Sequence, residues 1–406
     1  MSSFRFLHAA DVHLGSPFKG LAIKDEVIAR RFAQATRTAF TALIDRAIEL
    51  KVAFLIVAGD LYDGEWRDNT VGLYVARELS RLALAGIPTV LLKGNHDADS
   101  VVTGSITLPD HVHQFETQRP STVELGGVVL HGQGFAKRAV PDTIVRDYPP
   151  RAPGAFNIGV LHTSLTGSTQ HETYAPCSLE DLARHGYDYW ALGHVHDYAV
   201  VARDPTIVFP GNLQGRNVRE AGEKGAVLVS VEDGRVASIE RVIVDAARWA
   251  TMTLDVTDCG DVEDVLRRVE REAATLAAGL GDRLLALRVC VVGASALAAG
   301  LMAQRGQLRD EVEAACQRVH PDIWLEALRL EASAPPPSTD ADPGFDFAAE
   351  VRAIADDPRM LQVALELLRG VGAKLPHGTS LAQDDGEEAA ALLAEAAALL
   401  VARTGD

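Results

Sequence analysis

The run Gly94-Asn95-His96-Asp97 places an amide, an imidazole and a carboxylate side by side, directly after an apolar stretch. All three side chains are metal ligands, and the glycine permits a turn tight enough to aim them at one point. Taken alone, the tetrapeptide fits a solvated polar loop equally well. Further clusters of metal-type residues, spaced along residues 1–200, favour the metal interpretation.

Each of the further clusters closes an apolar run of the sequence. They are Asp11-Val12-His13, Gly59-Asp60-Leu61-Tyr62-Asp63, His162 and Gly193-His194-Val195-His196. In an extended segment, side chains two residues apart point to the same side, so Asp11 and His13 can grip one ion together. The same spacing applies to His194 and His196.

The donors are too many for one ion and suit two ions that share a bridging carboxylate. We expect Asp60 to be the bridge. The remaining donors divide into Asp11, His13 and His196 for the first ion and Asn95, His162 and His194 for the second. A set that mixes carboxylate, amide and imidazole without thiolates favours Mn²⁺ or Fe²⁺, allows Zn²⁺ and suits Mg²⁺ less well.

Two ions about 3.5–4 Å apart can hold a hydroxide between them and clamp a phosphate oxygen, which is the arrangement for in-line phosphoester hydrolysis. The nucleophile would then be water. His96 is adjacent to a ligand and is not needed for coordination, so it is the candidate to protonate the leaving alkoxide or to stabilise the transition state. Asp63 and Asp97 are expected to orient a ligand or cap a helix rather than bind metal.

The elements that must position these residues alternate between strands and helices. Apolar runs predict strands that end at each cluster, with helices over residues 25–50 and 69–85 between them. This order predicts a largely parallel sheet with its site at the carboxyl ends of the strands. A more β-rich stretch follows, and strands near residues 207–212, 225–231 and 236–244 are predicted to complete a second sheet. The fold class is therefore α/β, as a two-sheet α/β/β/α sandwich.

The length of 406 residues predicts more than one domain. We expect a catalytic domain over residues 1–245, a small α/β domain over 246–331, a proline-rich linker over 332–345 and a helical region over 346–406. The Ala/Leu-rich helix at 387–403 is expected to pack on its own domain, with docking of a partner as the alternative.

The composition excludes several classes of protein. No apolar stretch reaches the roughly 20 residues that span a bilayer, so no membrane span is expected. The N-terminus runs straight into the first cluster, and we expect no signal peptide. The four cysteines are scattered without a Cys-x-x-Cys pair, which indicates neither a disulfide framework nor a zinc ribbon. These features predict a cytoplasmic protein.

The formal net charge of −17 argues against nucleic-acid binding by bulk electrostatics. A nucleic-acid substrate would have to meet a local basic groove together with bound metal cations. Candidate substrate contacts in loops near the clusters are Arg67, His171 and Arg216, and each is also explained as an ordinary solvated side chain.

The order Asp-x-His, Gly-Asp-x-x-Asp, Gly-Asn-His-Asp, His and Gly-His-x-His resembles the calcineurin-like metallophosphoesterase superfamily, and residues 1–200 carry it whole. The runs at 6–15 and 189–196, the turn Pro210-Gly211-Asn212 and the run at 222–225 are similar to DNA repair exonucleases of the SbcD/YhaO type. The runs at 63–70 and 174–177 resemble the YhaO branch. This closer resemblance covers residues 4–245, and the segment after it is similar to the smaller capping domain of the family.

The resemblance implies Mn²⁺-dependent cleavage of DNA phosphodiesters by an exonuclease or endonuclease in DNA repair. It also implies a coiled-coil ATPase of the SbcC/YhaN kind as partner, and a homodimer is a further expectation. One alternative keeps the chemistry and changes the substrate to a small nucleotide or a phosphoprotein. Another makes the chain a subunit that works mainly through the ATPase.

Overall fold

The computed structural model describes residues 3–16, 26–63, 69–98, 108–165, 174–335, 347–372 and 386–404. The chain divides into two compact units. The first comprises Met1–Ala250 with Asp282–Ala286, and the second Thr251–Gly281 with Leu287–Asp406. None of the helices in the described ranges combines the length and the apolar character that crossing a bilayer requires.

The first unit contains twelve of the described strands. They are β1 (Phe4–Ala9), β2 (Leu55–Ala58), β3 (Thr89–Leu92), β4 (Val112–Gln114), β5 (Ser121–Leu125), β6 (Val128–Gly132), β7 (Phe156–His162), β8 (Tyr189–Gly193), β9 (Ala199–Arg203), β10 (Thr206–Phe209), β11 (Gly225–Glu232) and β12 (Arg235–Ile243). Its described helices are α1 (Glu26–Leu50), α2 (Asn69–Leu84), α3 (Asn95–Ala98) and α4 (Leu179–Arg184), with single 3₁₀ turns at Val145–Asp147 and Val218–Glu220.

These strands form two six-stranded sheets, in the orders β12-β11-β1-β2-β3-β4 and β5-β6-β7-β8-β10-β9. Strands β1 to β4 run parallel to one another, as do β6, β7, β8 and β10. The carboxyl ends of the parallel strands in each sheet therefore lie along one edge of that sheet.

An aromatic and aliphatic core joins the two sheets face to face. Phe6 stacks on Phe54 with ring centroids 5.0 Å apart, and Tyr189 of the second sheet meets Phe6 edge-on at 5.2 Å. Helices α1 and α2 bury their apolar faces on the outer side of the first sheet, while α4 packs on the outer side of the second. The predicted α/β/β/α sandwich is confirmed.

The prediction that the last three strands complete the second sheet is wrong for β11 and β12. Only β10 joins that sheet, whereas β11 pairs antiparallel with β1, from Phe4↔Val231 to His8↔Val227, and β12 pairs with β11. The apolar pattern identified the strands but not their partners. Strand β2 satisfies one edge of β1, and β11 satisfies the hydrogen-bonding groups of the other edge, which would otherwise be buried without partners.

The other strands of the described residues form a three-stranded sheet in the order β13 (Ala247–Asp255), β14 (Leu284–Val292) and β15 (Ile323–Leu330). The described helices that follow β13 are α5 (Val262–Ala277), α6 (Ala298–Ala303), α7 (Arg305–Val319), α8 (Phe347–Ala355), α9 (Pro358–Gly372) and α10 (Gly386–Thr404).

The C-terminal helices differ in two ways from a simple helical tail. The break between α8 and α9 falls just before Pro358, whose ring fits the first turn of a helix but not its interior. Helix α10 packs against α8 and α9 of the predicted helical region, and also against α6, which lies in the segment predicted as the small α/β domain. Residues 336–345 of the predicted linker lie outside the described residues.

Replacement of Phe54 by alanine should lower the free energy of unfolding by about 3–5 kcal/mol, because it leaves a cavity between the two sheets. Phe54 is 1% exposed, whereas Leu84 at the end of α2 is 90% exposed. Urea unfolding followed by circular dichroism measures both. Leu84→Ala is the matched control and should change little, and equal losses in the two variants would contradict this account of the core.

Candidate metal centre

The carboxyl edges of the two sheets meet, and this brings the predicted ligands together. Asp11 follows β1, Asp60 follows β2 and Asn95 follows β3, while His162 ends β7 and His194 follows β8. The turns after β1 and β2 are tied by backbone hydrogen bonds, because Asp11 N–H donates to Gly59 at 3.0 Å and His13 N–H donates to Asp60 at 2.9 Å. Ligands that are far apart in sequence thus come from neighbouring strand ends.

Four of the candidate ligands have backbone conformations that side chains seldom adopt. The φ angle is 51° at Asp11 and at His13, 53° at Asp60 and 98° at His194. A residue other than glycine held in such a conformation costs roughly 1–3 kcal/mol, and such residues concentrate at functional sites. The rest of the fold holds these strained turns in place, which is consistent with a site that must be pre-formed.

The donor atoms of the first set, from Asp11, His13 and His196, lie close to one another. His13 Nε2 lies 3.2 Å from His196 Nε2, and Asp11 Oδ1 lies 3.7 Å from His196 Nε2 and 3.9 Å from His13 Nε2. Asp11 Oδ1 is buried and accepts no hydrogen bond from the described residues. Two imidazole nitrogens and a carboxylate oxygen that converge in this way fit a divalent cation.

The second set of donors surrounds His162, whose tautomer follows from its contacts. Its Nδ1 lies 3.0 Å from the Ala58 carbonyl, and because a carbonyl only accepts, Nδ1 must carry the proton. Nε2 faces two acceptor oxygens, Asn95 Oδ1 at 3.0 Å and Asp60 Oδ2 at 3.4 Å, so this contact calls for a proton or a cation on Nε2. The ring of His194 lies beside that of His162, with centroids 5.3 Å apart, but among the described residues its nitrogens do not join the converging groups of donor atoms.

Asp60 lies between the two sets of donors. Its Oδ2 is 3.4 Å from His162 Nε2 and 3.9 Å from His13 Nε2, while its Oδ1 accepts the His96 N–H at 2.9 Å. One oxygen therefore faces nitrogens of both sets. This position is the one that a bridging carboxylate requires.

The buried charges favour a cation at this point. Burial alone would lower the pKa of His162, but the adjacent Asp60 carboxylate outweighs it and raises that pKa to about 9. Burial, followed by the field of Arg216, holds the pKa of His13 well below its ordinary value, so His13 is neutral and able to donate a lone pair. The Asp60 carboxylate thus attracts positive charge beside His162, and a metal ion can supply it in place of a proton.

His96 is placed to handle a proton. Its Nδ1 lies 2.8 Å from Asp63 Oδ1, and its ring meets that of His13 edge-on with centroids 4.9 Å apart. The hydrogen bond to Asp63 raises the pKa of His96 above its ordinary value. His13, Asp60 and His96 also lie close enough together to form a donor group, so proximity alone does not separate His96 from the ligands.

The two further aspartates have different contacts. Asp97 accepts hydrogen bonds from the backbone N–H groups of Leu61, Tyr62 and Gly94 at 2.9–3.2 Å, and so joins the turns that follow β2 and β3. Burial, supported by the nearby Asp60, raises the pKa of Asp97 to about 6. Asp63 contacts His96 and Arg216 instead.

Glu220 is a residue that the sequence analysis missed. Its Oε1 lies 2.9 Å from His196 Nδ1, and its Oε2 accepts from Asn212 Nδ2 at 3.0 Å. A carboxylate that holds the outer nitrogen of a histidine ligand fixes the orientation of the ring and raises its basicity. Glu220 follows no strand, so the only signal was its place between the Pro210-Gly211-Asn212 turn and the run at 222–225.

Of the three candidate substrate contacts, the structure describes only Arg216. Arg216 is near the site, but its guanidinium bonds to Glu220, Asp63 and Ser16. Arg67 and His171 lie outside the described residues.

Two family profiles match the sequence. Residues 4–198 match the profile described as calcineurin-like phosphoesterase, and residues 249–333 match the one described as metallophosphoesterase YhaO, middle domain. The second match covers most of the segment from β13 to β15.

Curated proteins show the same similarity over longer stretches. The uncharacterized metallophosphoesterase YhaO of Bacillus subtilis (strain 168) is 34% identical over 276 residues, which cover 66% of this chain and 67% of that protein. The DNA double-strand break repair protein Mre11 of Sulfurisphaera tokodaii is 26% identical and covers 64% of this chain and 67% of its own. The protein of the same name from Methanopyrus kandleri is 27% identical and covers 90% and 82%.

Loss of the shared carboxylate should disturb both ions at once. We expect titration calorimetry of the EDTA-treated chain with Mn²⁺ to show two equivalents bound, and Asp60→Asn to weaken both, because its oxygen faces nitrogens of both sets. Asp258→Asn, on an exposed side chain, is the matched control and should bind as the unchanged chain does. An Asp60→Asn variant that lost one ion and kept the other at full affinity would contradict the bridging position.

Glu220→Gln should weaken one of the two ions by about 10–100-fold, because the amide holds the outer nitrogen of His196 less strongly than the carboxylate does. The same calorimetry measures this effect. Glu232→Gln on the exposed end of β11 is its control. Equal losses at both ions, or none, would show that Glu220 does not act through His196.

Proposed function

This chain belongs to the calcineurin-like phosphoesterase family, as its motifs predicted, and from that membership we propose that it is a two-metal phosphodiesterase that cleaves DNA. The family implies hydrolysis of a phosphoester. Nuclease action in DNA repair, as an exonuclease or an endonuclease, is the proposed part.

The observation that carries the proposal is the single cluster in which Asp60 faces two sets of nitrogen and oxygen donors. Asp11, His13 and His196 would hold one ion, and Asn95, His162 and His194 the other. Bound divalent ions supply an activated water at neutral pH and positive charge for the phosphate oxygens. Mn²⁺ is the ion that we propose, since the donors are carboxylate, amide and imidazole.

His96 would act as the proton donor for the leaving oxygen. Departure of a sugar alkoxide from a phosphodiester needs a proton, because the alkoxide is strongly basic. Asp63 holds Nδ1 of His96, which leaves Nε2 to face the substrate, and the same contact favours the protonated ring. A partly exposed imidazole beside buried ligands has the access that this role requires.

DNA as the substrate is supported by the relatives. Two of the relatives reported above are named for the repair of DNA double-strand breaks. The net charge of −17 means that positive charge at the site must be local, and Arg138 lies close enough to act on the pKa of His96. Phosphate contacts near the metals would then replace a broadly basic surface.

The resemblance to YhaO also supports a partner. A coiled-coil ATPase of the SbcC/YhaN kind is proposed here because the C-terminal helices expose large apolar side chains, among them Leu367 on α9 and Leu400 on α10. A homodimer is a separate proposal that rests on the family alone.

A small nucleotide or a phosphoprotein is the second candidate substrate. The acidic charge favours it, because such substrates bring far less negative charge than a duplex does. The metal centre and His96 would serve either substrate, so the choice depends on assays with both.

Cleavage of end-labelled linear duplex DNA with Mn²⁺ tests the proposal. Asp60→Ala should abolish cleavage, and His96→Ala should reduce it by about 10²–10⁴-fold while both ions still bind, because only proton donation is lost. His113→Ala on β4 is the matched histidine control and should cleave normally. Hydrolysis of bis(p-nitrophenyl) phosphate without any DNA cleavage would favour the small-substrate alternative, and full activity of His96→Ala would remove His96 from the reaction.

A further inference from the structure

Arg216 is held by Glu220 in a two-pronged contact. Its Nη2 donates to Glu220 Oε1 at 2.8 Å and its Nε to Oε2 at 3.3 Å, while the backbone N–H of Arg216 also donates to Oε2 at 2.8 Å. Glu220 Oε1 is also the atom that holds His196 Nδ1 at 2.9 Å. The guanidinium is thus one contact away from a candidate metal ligand.

The other end of the same guanidinium reaches the proton donor. Nη1 of Arg216 donates to Asp63 Oδ2 at 3.1 Å, and the opposite oxygen of Asp63 holds His96 Nδ1 at 2.8 Å. Nη1 also donates to Ser16 Oγ at 3.3 Å, which fixes the plane of the guanidinium. One arginine therefore connects two carboxylates, and each carboxylate holds a different histidine of the site.

We propose that Arg216 is a positioning residue that couples metal binding at His196 to proton donation by His96. This inference rests on the proposed two-metal phosphodiesterase function. The planar guanidinium presents its donors in a rigid fork, so it fixes Glu220 and Asp63 in relation to each other. A displacement of either carboxylate therefore displaces the other through the guanidinium. His196 and His96, which the two carboxylates hold, thus keep a fixed position relative to each other.

The contacts of Arg216 distinguish this role from DNA binding. Each of its three guanidinium nitrogens already donates to an oxygen of the protein, and the side chain is only 14% exposed. A phosphate would have to displace the buried Glu220 carboxylate or the partly buried Asp63 carboxylate to gain a strong contact. Without the arginine those carboxylates would also lose the positive charge that they share, which is costly at a buried position.

Metal affinity tests the contacts that connect Arg216 to His196 through Glu220. In Mn²⁺ calorimetry of the EDTA-treated chain, Arg216→Gln should weaken one of the two ions by about 10-fold, as expected for loss of support behind a ligand. Arg216→Lys keeps the charge but not the fork and should fall in between. Arg219→Gln, on an exposed side chain of the 3₁₀ turn that contains Glu220, is the matched control and should bind normally.

The dependence of the hydrolysis rate on the basicity of the leaving group tests the contacts that connect Arg216 to His96 through Asp63. With saturating Mn²⁺, Arg216→Gln should slow hydrolysis of diphenyl phosphate more than that of bis(p-nitrophenyl) phosphate, because the less acidic phenol needs the proton from His96 more. His96→Ala should show the same pattern. A residue that merely stabilises the fold would slow both substrates by the same factor, and that result would overturn the proposal.

Two double-mutant cycles, one for each carboxylate, assign each effect to its contact. The effect of Arg216→Gln on metal affinity should disappear in a Glu220→Gln background, and its effect on leaving-group dependence should disappear in an Asp63→Asn background. Additive effects in both backgrounds would overturn the coupling. Arg216→Lys serves as the first member of each cycle if Arg216→Gln does not fold, as judged by circular dichroism.

Failure of the proposed function can be told apart from failure of this inference. An unchanged chain that binds two Mn²⁺ and hydrolyses aryl diesters but not DNA would overturn DNA as the substrate and leave both tests of Arg216 in force. If instead Arg216→Gln raised KM for DNA alone, with metal affinity and aryl diester hydrolysis unchanged, Arg216 would be a DNA contact and the inference would be wrong.

Discussion

The close approach of two sheet edges is the constraint on which the rest of this structure depends. A Cβ atom at Gly193 would lie 2.0 Å from the Ala58 carbonyl oxygen, and one at Gly59 would lie 2.2 Å from His162 Nδ1. Gly193 is the last residue of β8 in the second sheet, and Gly59 directly follows β2 in the first. Because neither carries a side chain, β2 and β8 come close enough for donors from both sheets to converge on Asp60.

This convergence places several charged side chains close together in a buried site. The residues around them form hydrogen bonds that hold these side chains and their turns in position. Carboxylates and imidazoles face one another at the centre, where the Asp60 carboxylate raises the pKa of His162 despite the burial of its ring. Behind them, Asp97 joins two turns through three backbone N–H groups, and Glu220 holds the outer nitrogen of His196. The strained turns at Asp11 and Asp60 persist because so many contacts determine them together.

The fold class and the positions of the predicted donors at strand ends could be inferred from short segments of the sequence. Apolar runs such as residues 52–58 end in polar residues, and parallel strands place such ends along one edge of a sheet. The pairing of β11 with β1 was not accessible in this way, because an apolar strand fits either sheet and its partner depends on which edge is left open. Glu220 was missed for a similar reason, since it lies in a short 3₁₀ turn without periodicity.

The amino-acid sequence by itself determined which residue types stand at the strand ends, and with them the family and the class of chemistry. These are properties of short segments, whose spacing and composition carry physical meaning without distant contacts. Only the tertiary structure decided which carboxylates support which histidines. Asp63 and Arg216 are separated by 153 positions in the chain, yet they lie 3.1 Å apart. Contacts of that kind arise from the packing of whole sheets, so no local pattern contains them.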